Sequence, residues 1–232
     1  MKVNVIYCED CIQGLKKLPD SCVDFIFADY PFNCQDGRKN YSLFVKETAE
    51  EFYRVLKPNC ALLIINNPSN IFKNIHHYKN FVYRDGVALI RKGALRPAWH
   101  FGFQHNYCLI LLKPDAHGEV NIKLKWNGCK RNHDKEFMTD VVTYQNGYRK
   151  GKDWHPQAFP LSLTKKFIEI FTNEGDIVLD PFIGSGTTAV ACKQLSRKFI
   201  GFEINSEYVK IANKRLEQQT LVSHITKPYK NN

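Results

Sequence analysis

Two short stretches and one isolated acid carry residue types that could do chemistry. The run Phe25-Ile26-Phe27-Ala28 is apolar and stops at Asp29, after which Tyr30, Pro31 and Phe32 crowd together. A plain turn needs none of these. The set combines a hydrogen-bond acceptor, a stiff backbone and a flat apolar face. Residues 177 to 189 read IVLDPFIGSGTTA. A second apolar run ends there in Asp180-Pro181, and Phe182 leads into a tight Gly184-Ser185-Gly186 loop before a helix opens at Thr187-Thr188. Glycines let backbone approach a ligand, and amides at a helix start can meet a carboxylate or another anion. Seventeen residues after Gly186 a third run ends in Phe202-Glu203. A carboxylate at that distance is placed to hold a ribose diol through charge-assisted hydrogen bonds. The pattern points to a nucleoside cofactor, with a plain strand-to-helix turn as the bland alternative. No lysine follows Gly186, so this is not a phosphate loop of the Gly-Lys-Ser/Thr kind. Ala189 in the third slot of GSGTTA leaves NAD open, but Asp180-Pro181 suits a ligand carrying an amine and a sulfonium.

These residues need strands and helices to hold them. Apolar runs predict strands at 3–7, 23–28, 60–65, 82–90, 107–112, 177–179 and 199–202. Helical spacing, with proline stops after Leu18 and Leu56, predicts helices at 10–18, 41–56, 69–78, 160–171, 187–195 and 207–218. Strands alternating with helices imply an α/β fold, a mostly parallel twisted sheet with helices on both faces. In such sheets ligands sit outside the carboxyl ends of the strands, which is where Asp29, Asp180 and Glu203 fall. Residues 113 to 154 are polar and weakly periodic and read as an insertion. The tail from 219 to 232 is polar and is expected to fray.

Composition narrows the classes. The chain has 232 residues, 44% of them apolar, enough for one α/β domain with a small insertion. No apolar run approaches the roughly 20 residues of a membrane span, and MKVNVIYCED lacks the apolar core of a signal peptide. The expectation is a cytoplasmic protein with no membrane contact. A net charge of +10 fits a polyanionic partner, or a plain solubility surplus. Of the eight cysteines, only Cys8 and Cys11 form a close pair, and no second pair completes a zinc set; packing is the default and no metal is expected.

LDPFIGSGTTAVACKQL followed by RKFIGFEIN closely resembles the cofactor segment of S-adenosylmethionine-dependent amino methyltransferases of DNA. ADYPFN resembles their catalytic motif, an Asp, Asn or Ser followed by two prolines and an aromatic residue. YCEDCIQGLKKLPDSCVDFIFAD and WHPQAFPLSLTKKFIEIF are similar to supporting segments. The order, catalytic motif first and cofactor loop last, is that of the β class. The resemblance covers residues 1 to 112 and 154 to 217. It implies a Rossmann-like methyltransferase fold of permuted motif order: a catalytic half at 1–112, a target-recognition region at 113–154 and a cofactor half at 155–232.

The resemblance also implies roles. An exocyclic base amine is a poor nucleophile because its lone pair is delocalised into the ring. Asp29 and the carbonyl of Tyr30 would accept hydrogen bonds from it, Pro31 would fix the backbone, and Phe32 would stack on the flipped base. Asp180, Phe182, Gly184, Ser185 and Gly186 would surround the methionine part of S-adenosyl-L-methionine, with Thr187 or Thr188 capping the helix and touching the carboxylate. Glu203 would hold the ribose, and Asp10 would reach the adenine or simply cap the next helix. Tyr30 departs from the family's first proline and so loses its fixed φ. Asp at the first motif position favours N6-methyladenine as product; HPQAFP resembles some cytosine-N4 enzymes. DNA is the implied partner. Cytosine-N4 methylation, RNA as the polymer, and a catalytically silent nucleic-acid-binding subunit stay open. A homodimer and a cognate restriction endonuclease are further partners to test. For DNA contact the sequence offers Arg38 and Lys39 just past the motif. It also offers a basic stretch at 71–113 that includes Lys73, Lys79, Arg84, Arg91, Lys92, Arg96 and Lys113 against the single acid Asp85.

Overall fold

A computed structural model describes residues 1–31, 40–91, 105–120, 140–144 and 159–225. Phe32, Arg38, Lys39, Lys92, Arg96 and most of the 113–154 insertion lie outside the described residues. The strands are β1 (Val5–Cys8), β2 (Val23–Asp29), β3 (Leu56–Asn66), β4 (Val82–Arg91), β5 (His105–Leu112), β6 (Val141–Tyr144), β7 (Ile177–Asp180) and β8 (Lys198–Glu203). The α-helices are α1 (Cys11–Lys16), α2 (Tyr41–Val55), α3 (Pro68–Asn74), α4 (Leu161–Phe171), α5 (Thr187–Gln194) and α6 (Ser206–Ile225), with a 3-10 turn at Ile75–Tyr78.

Among the described residues, these eight strands join one sheet in the order β1-β8-β7-β2-β3-β5-β4-β6. The pairs β1/β8, β8/β7, β7/β2, β2/β3 and β4/β6 are parallel, while β5 runs antiparallel to both β3 and β4. The sheet is therefore mostly parallel, as its apolar runs imply, since strands covered on both faces lose their polar alternation. β2 shows the two faces in adjacent residues. Ile26 and Ala28 pack with Leu15, Phe44 and Phe52 of α1 and α2, whereas Phe25 and Phe27 pack with Phe167, Phe171 and Ala189 of α4 and α5. Phe25 stacks on Phe171 at 5.2 Å between ring centroids.

The topology fixes where a ligand can sit. From β2 the chain crosses through α2 to β3 on one side; from β7 it crosses through α5 to β8 on the other. β2 and β7 are neighbours, so the direction of winding reverses between them. A crevice opens at such a switch point, beyond the carboxyl ends of the two strands.

Several expected boundaries move. β3 begins at Leu56, straight after α2, where Pro58 suggested a stop followed by a strand from Cys60; Leu56 pairs with Val23 before the register shifts to Phe25–Ala61. The helix expected at 69–78 breaks after Asn74, whose backbone leaves the helical region at φ −116° and ψ 0°, and finishes as the 3-10 turn. α6 continues to Ile225, past the expected end at 218. Within the insertion, Val141–Tyr144 adds a strand to the sheet beside β4. Among the described residues no helix is long and apolar enough to cross a membrane.

Candidate active site

The carboxyl ends of β1, β8, β7 and β2 share one edge of the sheet. Cys8 of β1 pairs with Glu203 of β8, and Leu179 of β7 pairs with Ile26 of β2, so Asp10, Glu203, Asp180 and Asp29 all gather there. Asp29 is half-buried and Asp180 buried. Burial pushes the Asp29 carboxyl up to about 8, and the nearby Asp180 charge adds to the shift. Burial likewise lifts Asp180 to about 7, although a hydrogen bond from Thr188 and one from the Phe182 amide (3.0 Å) pull the other way. Loss of hydration disfavours the charged form of each acid, and two acids in one crevice disfavour it further. A cationic ligand there would reverse both effects.

Glu203 is arranged differently. Its Oε2 accepts from the Gly184 amide at 3.0 Å and its Oε1 from the Asn205 amide at 2.8 Å, which fixes the carboxylate while each oxygen keeps acceptor capacity. Burial still raises its pKa, with those backbone donors opposing. Asp10 caps α1: its Oδ1 accepts from the amides of Ile12 (2.9 Å) and Gln13 (3.2 Å). The capping alternative raised by the sequence is thus realised, at the same sheet edge as Glu203.

The glycine loop has two distinct requirements. Gly184 adopts φ +51°, and a side chain there would meet nothing closer than the Phe182 carbonyl at 3.9 Å, so its open side faces away from protein. Gly186 adopts φ +82°, and a Cβ would come within 2.7 Å of the Ala212 Cβ on α6. Its lack of a side chain therefore serves packing against α6 as well as a left-handed backbone. Gly186 is the N-cap of α5 and no side chain caps that helix. This corrects the expectation that Thr187 or Thr188 would do so, because Thr188 turns to Asp180 instead. Nor does Thr187 cap: its Oγ1 receives Nη1 of Arg215 at 3.3 Å. The same Nη1 donates to the Ser185 carbonyl (2.5 Å) and hydroxyl (3.0 Å). Sequence reasoning missed Arg215, which looks like one more surface cation on a charged helix; only the fold brings it back across 30 residues to the loop.

Tyr30 turns its ring inward and is 2% exposed. Its amide donates to the Ile65 carbonyl at 3.1 Å, which ties the segment after Asp29 to the end of β3. Its ring lies 4.7 Å from that of Phe182 and 6.0 Å from that of Phe44. The two sequence motifs thus touch directly, Tyr30 of one against Phe182 of the other.

The basic candidates divide. Lys113 is buried, with its Nζ donating to the Leu56 carbonyl at 2.7 Å and lying over the Tyr53 ring, so it serves the fold and not a phosphate. Arg84 sits near the start of β4, at the edge away from Asp29, because Val82 and Tyr83 pair with the far end of β5. Arg91 ends β4 on the Asp29 edge.

A family model described as DNA methylase matches residues 23–214. The chain is 31% identical over 241 residues to the DNA adenine methyltransferase YhdJ of Escherichia coli (strain K12), covering 90% of this chain and 81% of that protein. A solved complex of M1.HpyAVI with SAM is similar at 29% identity and a TM-score of 0.70, across 91% of this chain and 98% of that one. The PvuII DNA methyltransferase, a cytosine-N4-specific enzyme, shares the fold at a TM-score of 0.76 and 18% identity, covering 90% of this chain and 85% of its own.

Proposed function

Because the chain belongs to the N6/N4 DNA methylase family, we propose that it methylates the exocyclic amine of adenine in duplex DNA, with S-adenosyl-L-methionine as donor. The observation that carries this reading is the convergence of Asp29, Asp180 and Glu203 on one crevice at the reversal of the sheet's winding.

The donor set fits the cofactor. Glu203, held by two amides, offers acceptors for a ribose diol, and Gly184 leaves room for close approach. Asp180 is a buried acid suited to a cationic ligand, steadied by Thr188. Phe182 supplies an apolar wall, Asp10 lies along the same edge as Glu203, and Arg215 holds Ser185 and Thr187 in place. When bound, S-adenosyl-L-methionine supplies an electrophilic methyl carbon on a sulfonium.

The chain's own residues prepare the nucleophile. Asp29 and the Tyr30 carbonyl accept the two hydrogens of the amine, which favours a pyramidal nitrogen with its lone pair directed into the crevice. Orientation of this kind accounts for much of the gain over an unaligned encounter. Asp29, kept ionised by a sulfonium in the crevice, is placed to take the proton that the amine nitrogen loses once its lone pair has formed the new C–N bond and the donor's S–C bond has broken to leave a neutral thioether. Pro31 limits backbone motion after the acceptor, and Phe32, outside the described residues, would stack on the extruded base. Adenine is favoured over cytosine because the residue touching the amine is Asp29.

Digesting methylated DNA to nucleosides and weighing them tests the assignment. N6-methyldeoxyadenosine is the expected product, and N4-methyldeoxycytidine would move the reading to the other branch of the family.

A further inference from the structure

In this chain Tyr30 occupies the place where the family motif carries a proline, so the acceptor carbonyl at this position lacks the rigidity a pyrrolidine ring would give it. We propose that a buried hydroxyl chain, Tyr78–Tyr30–Thr48, replaces that rigidity and makes Thr48 and Tyr78 positioning residues for the methyl-transfer site. The inference rests on the amine-methylation reading and names the device that aims the acceptors.

The chain of bonds is complete. The Tyr78 hydroxyl donates to the Tyr30 hydroxyl at 2.9 Å, and Tyr30 Oη lies 2.6 Å from Thr48 Oγ1. Thr48 Oγ1 lies 2.9 Å from the Phe44 carbonyl and 3.0 Å from the Val45 carbonyl, one turn back in α2. A hydroxyl has one hydrogen, so Thr48 spends its own on that turn and accepts from Tyr30. The protons then run one way, from Tyr78 to Tyr30 to Thr48, whose hydrogen the Phe44 and Val45 carbonyls share. All three side chains are buried, where water cannot compete for these bonds. A small cavity is lined in part by Tyr30, Tyr41, Asn66 and Tyr78. The Tyr30 ring also meets Phe182 of the cofactor loop. Tyr30 is therefore pinned at its amide by Ile65, at its hydroxyl by α2 and the 3-10 turn, and at its face by the cofactor half. Only its carbonyl stays available for the substrate role. Phenylalanine at this position would keep the shape and lose the hydroxyl anchor.

Two measurements on the variants Tyr30→Phe, Thr48→Val and Thr48→Ser test this. The first is amide hydrogen exchange at Tyr30 in the free protein. The second is the rate of methyl transfer from labelled S-adenosyl-L-methionine into unmodified duplex DNA, with cofactor KM determined separately. Tyr30→Phe and Thr48→Val should each speed Tyr30 exchange about tenfold. They should lower kcat about tenfold while cofactor KM stays within about twofold, and Thr48→Ser should restore both. Unchanged exchange in Tyr30→Phe overturns the proposal whatever the rate, as does, with an active wild type, an unchanged kcat in Tyr30→Phe and Thr48→Val. A wild type that transfers no label defeats the proposed function instead, and the exchange result then judges the anchoring claim by itself.

Discussion

Asp29 ends a strand whose preceding six residues, Val23 to Ala28, are all buried, and it is the first residue of that strand with access to the crevice. That transition is visible in the sequence, which is why Asp29, Asp180 and Glu203 could be named from the abrupt ends of apolar runs alone. What the sequence hides is the state of these acids, which depends on their nearness across the sheet. Asp29 and Asp180 are raised from an ordinary 3.8 to about 8 and about 7, so both bind protons more tightly folded than unfolded. Their contribution to stability is complete below the unfolded value and is lost as pH rises through the folded ones. The Tm of the free protein should therefore fall between about pH 4 and about pH 8, and Asp29→Asn should flatten the upper part of that fall in calorimetric scans. A sulfonium ligand favours the ionised acids, so its binding should strengthen over the same window and release protons. Isothermal titration in buffers of differing ionisation enthalpy reads that release directly. Thr48 and Tyr78 were not legible at this scale. They lie 18 and 48 residues from Tyr30 and carry no motif; only burial and geometry single them out.

At the scale of elements, the strand–loop–helix unit from β7 to α5 was readable because glycine, proline and an apolar run punctuate it. The role of α6 was not, because its sequence reads as a charged helix with one weak apolar stripe. Yet α6 supports the loop twice, with Ala212 under Gly186 and Arg215 on Ser185 and Thr187. Arg215→Ala should raise cofactor KM about tenfold, with kcat changing much less, in steady-state assays over cofactor concentration. Gly186→Ala should cost more than about 1 kcal/mol in denaturant melts and weaken cofactor binding as well, since it strains a left-handed residue and pushes on Ala212. α4 builds the core, where its Phe167 is wholly buried against Phe27. Phe167→Ala should lower stability by about 3–5 kcal/mol in the same melts. β6 escaped a reading by pattern because its four residues sit inside a polar insertion, where pairing to β4 and not local periodicity defines the strand.

At the scale of the molecule, two segments about 150 residues apart in sequence, Asp29 and Asp180, become neighbours because β2 and β7 pair at the sheet's centre. The pairing follows from the order of crossovers, and the crevice follows from the pairing. The halves proposed to bind the cofactor and the amine therefore share one sheet, with Tyr30 against Phe182 at their seam. The most direct test supplies labelled S-adenosyl-L-methionine and unmodified duplex DNA to the wild type and to Asp29→Ala, then separates the nucleosides. The wild type should place its label in N6-methyldeoxyadenosine, and Asp29→Ala should fall by at least about 10²-fold while still binding the cofactor. Equal labelling by the two proteins, or none from the wild type, would contradict the account.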